Sequence, residues 1–193
     1  MGFMSVLSFA HKLIGERLQP GEPAIDATAG TGQDTLFLAR TSGRRGQVFA
    51  FDIQAEALAL TRQRLDREQD NRLAEVTLLE RSHAEMEAAL PAAVHGTVGA
   101  IMFNLGYLPA EGADATVITL TQTTLAALEA SLGLLRPKGI VTIVLYPGHQ
   151  GGDEESGAVE KWAASLPPSA GQAIVYRQIQ KPAAPYLIAI EKR

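Results

Sequence analysis

The sequence predicts an α/β domain: a mostly parallel seven-stranded sheet with an antiparallel edge strand and helices on both faces. Three observations predict it. Seven strand-like apolar runs recur from Ala24 onward, helical patterns separate the first five, and the central runs are apolar almost throughout. Strands buried on both faces read this way, and the alternation is the βαβ rhythm of a parallel sheet.

The elements follow in order. The opening "MGFMSVLSFAHKL" reads as a short amphipathic helix, so residues 1–22 form a helix and linker at the start of a single domain spanning 1–193. The strand runs are "AIDAT", "QVFAFDI", "VTLLERS", "VGAIMFNL", "IVTIVLYP", "AIVYRQI" and "YLIAIEKR". Helices are expected over Asp34 to Arg40, over Ala55 to Gln69 and within "TVITLTQTTLAALEASLGLL", with a short turn at Glu85 to Leu90. The last two runs leave no room for a crossover helix, so they form an antiparallel edge pair joined near Lys181-Pro182. Trp162 falls in an amphipathic segment and reads as packing.

Composition narrows the chemistry. At 193 residues and 46% hydrophobic content the chain suits one core and leaves little for a second. It has no cysteine, which excludes disulfides, a thiolate nucleophile and a Cys-ligated zinc site. No signal peptide or long apolar span is evident, and a cytoplasmic protein is expected. Met1-Gly2 lacks the Ser or Thr that a myristoylation signal needs where Val6 stands. A net charge of −4 excludes a strongly basic nucleic-acid binder, since nonspecific affinity comes from neutralising phosphates. Local clusters survive: Arg40, Arg44 and Arg45; Arg62, Arg64, Arg67 and Arg72; and Arg136 with Lys138. Each is most simply a solvated face or a helix C-terminus.

Chemistry concentrates at strand ends. In "AIDATAGTGQDTLFLAR" a strand runs into Asp26, then a turn with Gly30 and Gly32, then a helix. Glycines there allow tight turning and close approach of backbone to a ligand. A dinucleotide fingerprint would carry a third glycine where Thr35 stands. Asp52, about twenty residues on, ends "VFAFD", where a carboxylate can accept from both ribose hydroxyls; it also reads as a strand end or helix cap. Asp26 and Asp34 flank the turn, with no Lys or Arg before Arg40. Two carboxylates repel a pyrophosphate and welcome a sulfonium with an amino group, so S-adenosylmethionine fits better than NAD. Asp34 also reads as a first-turn helix charge. The run "FNLGYLP" ends a buried strand on Asn104, either as an ordinary turn or as a pocket for a nucleophile.

These pieces carry a resemblance. "IDATAGTGQDTLFLA", "FAFDIQAEAL", "FNLGYLP", the Thr-rich "VITLTQTT" and "YPGHQGGDEE" together resemble the Rossmann-like class I methyltransferases labelled putative rRNA methylases. Members of this family are associated with methylating the aminomethyl group of 5-aminomethyl-2-thiouridine at the tRNA wobble position. The resemblance runs from about Phe9 to Lys192, and "FNLGYLP" with "YPGHQGG" is its narrow signature.

The resemblance implies S-adenosylmethionine as donor and the anticodon region of a tRNA as partner. It implies a cofactor site at Asp26, Ala27, Thr28, Gly30, Gly32, Gln33, Asp34, Asp52, Gln54, His83 and Asn104. The "NLGY" stretch resembles the Asn-Pro-Pro-Tyr motif of amino-directed methyltransferases, in which the Asn carbonyl and a nearby backbone carbonyl accept N–H bonds from the target amine. Leu105-Gly106 replaces the two prolines, which leaves the loop's rigidity unexplained. Tyr107 would offer a face for base stacking, worth roughly 1 to 3 kcal/mol, or pack at a loop edge. His149 is the candidate base or substrate contact, and an incidental loop histidine is its alternative. Thr119 is a candidate pocket residue, Glu154 and Glu155 read as helix N-terminal charges, and His11 and His95 have no evident partner. The first, third and fourth strand ends are expected to converge. A methyltransferase for rRNA, a small amine or a protein, and a noncatalytic cofactor-binding module, are the other readings. A homodimer is compatible with so small a chain, though no apolar stripe marks its surface.

Overall fold

The computed structural model describes residues 2–69, 71–106, 118–148 and 151–193. Seven strands lie among them: β1 (Ala24–Asp26), β2 (Gln47–Asp52), β3 (Glu75–Glu80), β4 (Val98–Asn104), β5 (Leu135–Leu145), β6 (Gly171–Tyr176) and β7 (Tyr186–Lys192). The α-helices are α1 (Val6–Gly15), α2 (Gln33–Ser42), α3 (Ala55–Asp66), α4 (Met86–Ala89), α5 (Thr121–Leu134) and α6 (Gly152–Ser165). The expected strands are all present. Helix α2 is longer than expected at both ends, and α3 stops at Asp66 instead of Gln69.

One sheet holds all seven strands in the order β3-β2-β1-β4-β5-β7-β6. Pairings from β3 through β5 are parallel, and β7 runs antiparallel to both its neighbours. The edge pair is thus antiparallel as expected, with β7 one place in from the edge and β6 outermost. The chain winds outward from β1 to β3 and then crosses back to β4, so the order reverses between β1 and β4. That is the switch point where open α/β sheets bind ligands. The strands flanking β1 are therefore β2 and β4, where the sequence suggested the first, third and fourth. β3 reaches the crevice only through the turn that follows it.

Side-chain alternation divides the core into two layers. Ile101, Phe103, Val141, Ile143 and Leu145 pack on one face under α5 and α6, while Ala100, Met102, Ile140 and Val144 pack with Ala10, Leu13 and Ile14 of α1 on the other. Phe51 and Phe103 are fully buried, each worth about 1.5 to 3 kcal/mol of burial. Helix α1 begins on Ser5, whose hydroxyl accepts from Ser8 N–H at 3.1 Å, an N-cap that satisfies an otherwise orphan amide. Trp162 packs against the core, as expected, and its indole N–H donates to Glu129.

Candidate active site

The turn after β1 is built by two carboxylates acting on nearby backbone. Asp26 is fully buried. Its Oδ1 accepts from Thr28 N–H at 3.1 Å and its Oδ2 from the Thr35 hydroxyl at 2.6 Å. Burial, with repulsion from Asp34 adding to it, raises the Asp26 carboxyl to about 7. Asp52 at the end of β2 accepts from Gly30 N–H and from Gln54 N–H, each at 3.0 Å. Its burial pushes that carboxyl up as well. Each Asp52 oxygen has a lone pair left over for a ligand donor.

Gly30 and Gly32 have φ of 52° and 78°, a region glycine enters without steric cost. A Cβ on Gly32 would also lie 2.7 Å from the Thr61 Cα of α3. Helix α3 presses on this turn directly: the Thr61 hydroxyl donates to the Gly30 carbonyl at 3.2 Å, and Arg64 Nε donates to the Thr31 carbonyl at 2.7 Å. The sequence placed no Lys or Arg between the turn and Arg40, yet the fold brings Arg64 to the turn from thirty-odd residues away. The carboxylates still outnumber it. Arg40 and Arg136, two of the candidate basic residues, are paired with Glu68 and Glu22.

Asp34 is buried in the first turn of α2, and its Oδ1 meets His11 Nε2 at 2.6 Å. The His11 ring lies flat on Phe37 at a 4.0 Å centroid distance. His11 therefore has the partner that the sequence did not reveal, because α1 and α2 meet only in three dimensions. Gln33 opens α2 on the surface and Gln54 precedes α3 half-buried.

His83 follows β3 and folds over β1. Its Nδ1 lies 3.3 Å from the Ala27 carbonyl, and its ring meets Phe103 edge-on. Burial lowers its pKa, so the ring is neutral at pH 7. A carbonyl partner requires Nδ1 to carry the proton, which leaves Nε2 as a lone-pair acceptor. That Nε2 is buried without a partner.

Asn104 closes β4 beside the switch point. Its N–H donates to the Thr28 hydroxyl at 2.7 Å, and the next residue, Leu105, donates to the Val144 carbonyl at 3.0 Å. Asn104 Oδ1 is buried and has no hydrogen-bond partner among the described residues. A buried carbonyl left unpaired costs about 1 to 3 kcal/mol, which a ligand N–H would recover. Gly106 follows with φ of 131°. Its N–H donates to the Thr119 hydroxyl at 3.0 Å. Glu155, expected as a helix N-terminal charge, stands in the first turn of α6, is 4% exposed and accepts from the hydroxyls of Thr119 and Thr124. Tyr107 and His149 lie outside the described residues. No group of three or more metal-ligating side chains occurs among the described residues.

Two structured half-sites thus face one crevice, one made of carboxylates on glycine turns and the other of an amide at a strand end. Residues 48–191 match the model of the family described as "Putative rRNA methylase". The chain belongs to that family. The chain is also 37% identical over 190 residues to an Arabidopsis thaliana protein named tRNA (mnm(5)s(2)U34)-methyltransferase, chloroplastic. That alignment covers 95% of this chain and 68% of the relative. Two solved relatives superpose over the whole of both chains. One is a putative rRNA methylase from Clostridium thermocellum, at TM-score 0.90 and 34% identity. The other is a putative methyltransferase from Streptococcus mutans in complex with SAH, at 0.85 and 30%. Family membership makes this chain a methyltransferase with the Rossmann-like fold that its sheet order displays.

Proposed function

We propose that this methyltransferase uses S-adenosylmethionine to methylate the aminomethyl nitrogen of 5-aminomethyl-(2-thio)uridine at the tRNA wobble position, giving 5-methylaminomethyl-(2-thio)uridine. The observation that carries the reading is Asn104 Oδ1, a buried acceptor with no partner at the strand end beside the switch point. The name of the Arabidopsis relative and the SAH bound to the Streptococcus mutans relative support substrate and cofactor respectively.

The residues present fit the cofactor. Asp52 retains lone pairs for ribose hydroxyls, His83 Nε2 waits for a donor such as an adenine amino group, and the Gly30–Gly32 turn leaves backbone open to close approach. Asp26 lies beneath the turn and shapes it through Thr28 and Thr35. Bound S-adenosylmethionine supplies a methyl group activated by its sulfonium.

The chain's own residues position the acceptor. Asn104 Oδ1 accepts an N–H of the amine, which turns the nitrogen lone pair away from the amide and toward the crevice. An alkylammonium is mostly protonated near neutrality, so a proton leaves before or during transfer. We assign its acceptance to His149 and base stacking to Tyr107 from their sequence positions. Alignment of this kind can contribute roughly 7 to 11 kcal/mol to catalysis.

The test is incubation with tRNA from a strain lacking the protein, followed by nucleoside mass analysis. One added methyl on an aminomethylated uridine is expected. A methyl appearing only in rRNA, the substrate in the family's description, would replace tRNA in the reading. No added methyl on either RNA would sink it.

A further inference from the structure

We infer that Glu155 is a positioning residue for the acceptor: from the first turn of α6 it fixes, through Thr119, the backbone that follows Asn104. The inference rests on the role proposed above for Asn104. A carboxylate in a helix's first turn ordinarily faces water, where the helix dipole favours it. Glu155 is buried instead. Its Oε2 accepts the Thr119 hydroxyl at 2.7 Å and its Oε1 the Thr124 hydroxyl at 2.7 Å.

A hydroxyl has a single proton. Thr119 gives that proton to Glu155, which turns its oxygen lone pairs toward the Gly106 N–H that donates to it at 3.0 Å. The Thr119 N–H in turn donates to the Gly106 carbonyl at 2.9 Å. One residue therefore clasps both backbone polar groups of Gly106, and Glu155 sets the direction of its hydroxyl. The clasp matters because Gly106, at φ 131°, is a glycine whose own backbone is conformationally permissive. The upstream end is already held, Asn104 by Thr28 and Leu105 by Val144. A buried carboxylate supplies here the stiffness that two prolines would supply in the Asn-Pro-Pro-Tyr motif.

Thr124 separates this role from simple support of the α5–α6 junction. It donates to the same carboxylate at the same distance, but its hydroxyl makes no bond to Gly106. The experiment compares Thr119→Val, Thr119→Ser and Thr124→Val. Amide hydrogen exchange at Gly106 is read on each protein without substrate, alongside kcat and KM for aminomethylated tRNA and Kd for S-adenosylmethionine. Thr119→Val should speed Gly106 exchange roughly fivefold to tenfold, as loss of about one hydrogen bond implies. It should lower kcat by a similar factor with the cofactor Kd unchanged. Thr119→Ser should restore both, and Thr124→Val should leave both within about twofold even where it lowers thermal stability as much. Thr119→Ala, which demands no extra room, should repeat the Thr119→Val pattern if that variant folds poorly. Equal effects of Thr119→Val and Thr124→Val, or unchanged Gly106 exchange in Thr119→Val, would overturn the inference. An unaltered protein that methylates no tRNA would remove the role of Asn104, while the exchange rates would still decide whether the clasp exists.

Discussion

The proposed cofactor half and the proposed acceptor half of the site share one edge of the sheet but are held in different ways. In the first, Asp26 bonds Thr28 and Asp52 bonds Gln54, each two residues along. These are aspartate turns that form wherever the chain bends. In the second, Asn104 is tied to Thr28 across 76 residues, Gly106 to Thr119 across 13, and Thr119 to Glu155 across 36. Local aspartate turns start the cofactor half, and Asp52, Thr61 and Arg64 then reach the glycine turn from β2 and α3. The acceptor half rests on ties between distant elements, β4 with β1 and α6 with the residues at the start of α5.

The largest expected effect tests the acceptor half. Asn104→Ala should lower single-turnover methyl transfer by roughly 100-fold or more, the loss that a misplacement of about 1 Å can cause. Calorimetric cofactor affinity should stay within about twofold. Equal loss of both would mean that the two halves are not separable at Asn104.

Gly32→Ala addresses the cofactor half. A methyl group there meets the Thr61 Cα at 2.7 Å and must adopt φ of 78°. The expected cost is about 1 to 3 kcal/mol of stability with weakened cofactor binding. A normal Kd and thermal midpoint would show that α3 does not constrain the turn.

Next comes the pH dependence of Asp26. Burial and Asp34 hold its folded carboxyl at about 7 against an ordinary 3.8. The folded group keeps its proton to higher pH than the unfolded one. Its stabilising contribution is therefore complete below pH 3.8 and is lost as pH rises through about 7. The stability of the ligand-free parent relative to Asp26→Asn should thus fall between those limits, by at most ~1.4 kcal/mol per pH unit, and then level. Urea titrations at several pH values measure it, and a flat difference would remove the buried charge from the design of the turn.

The smallest effect probes the tie between α1 and the cofactor half. His11→Phe keeps the stack on Phe37 but loses the bond to Asp34. It should cost roughly 0.5 to 1.5 kcal/mol in thermal unfolding, with acceptor KM unchanged. A larger loss, extending to cofactor affinity, would make the cofactor half depend on α1 and blunt the contrast.

The same contrast governs what could be read before the fold was known. Asp26, Gly30, Gly32 and Asp52 were legible because a strand end, a glycine turn and a carboxylate about twenty residues on leave a local pattern. Asn104 was legible from the strand end it closes and from the family signature around it. Glu155, His11, Thr61 and Arg64 were not. Each sits on a helix surface whose facing partner belongs to another element. Glu155 looked like any first-turn acid, and Arg64 like one of several solvated arginines along α3. A hint existed in Thr61 and Arg64, spaced three apart and so on one helix face, but nothing local says what that face touches.

Taken alone, the sequence determined the seven apolar runs, the exclusion of thiol chemistry and the glycine turn with its flanking aspartates. Hydrophobic periodicity and turn chemistry act over a few residues, so they can be read along the chain. Only the tertiary structure decided that β7 lies between β5 and β6, that α1 reaches Asp34 through His11, and that Glu155 of α6 accepts from Thr119. Those outcomes depend on which buried polar groups meet once the layers close. A buried donor or acceptor must be paired, but the pairing partner is chosen by packing and leaves no mark at either position in the sequence.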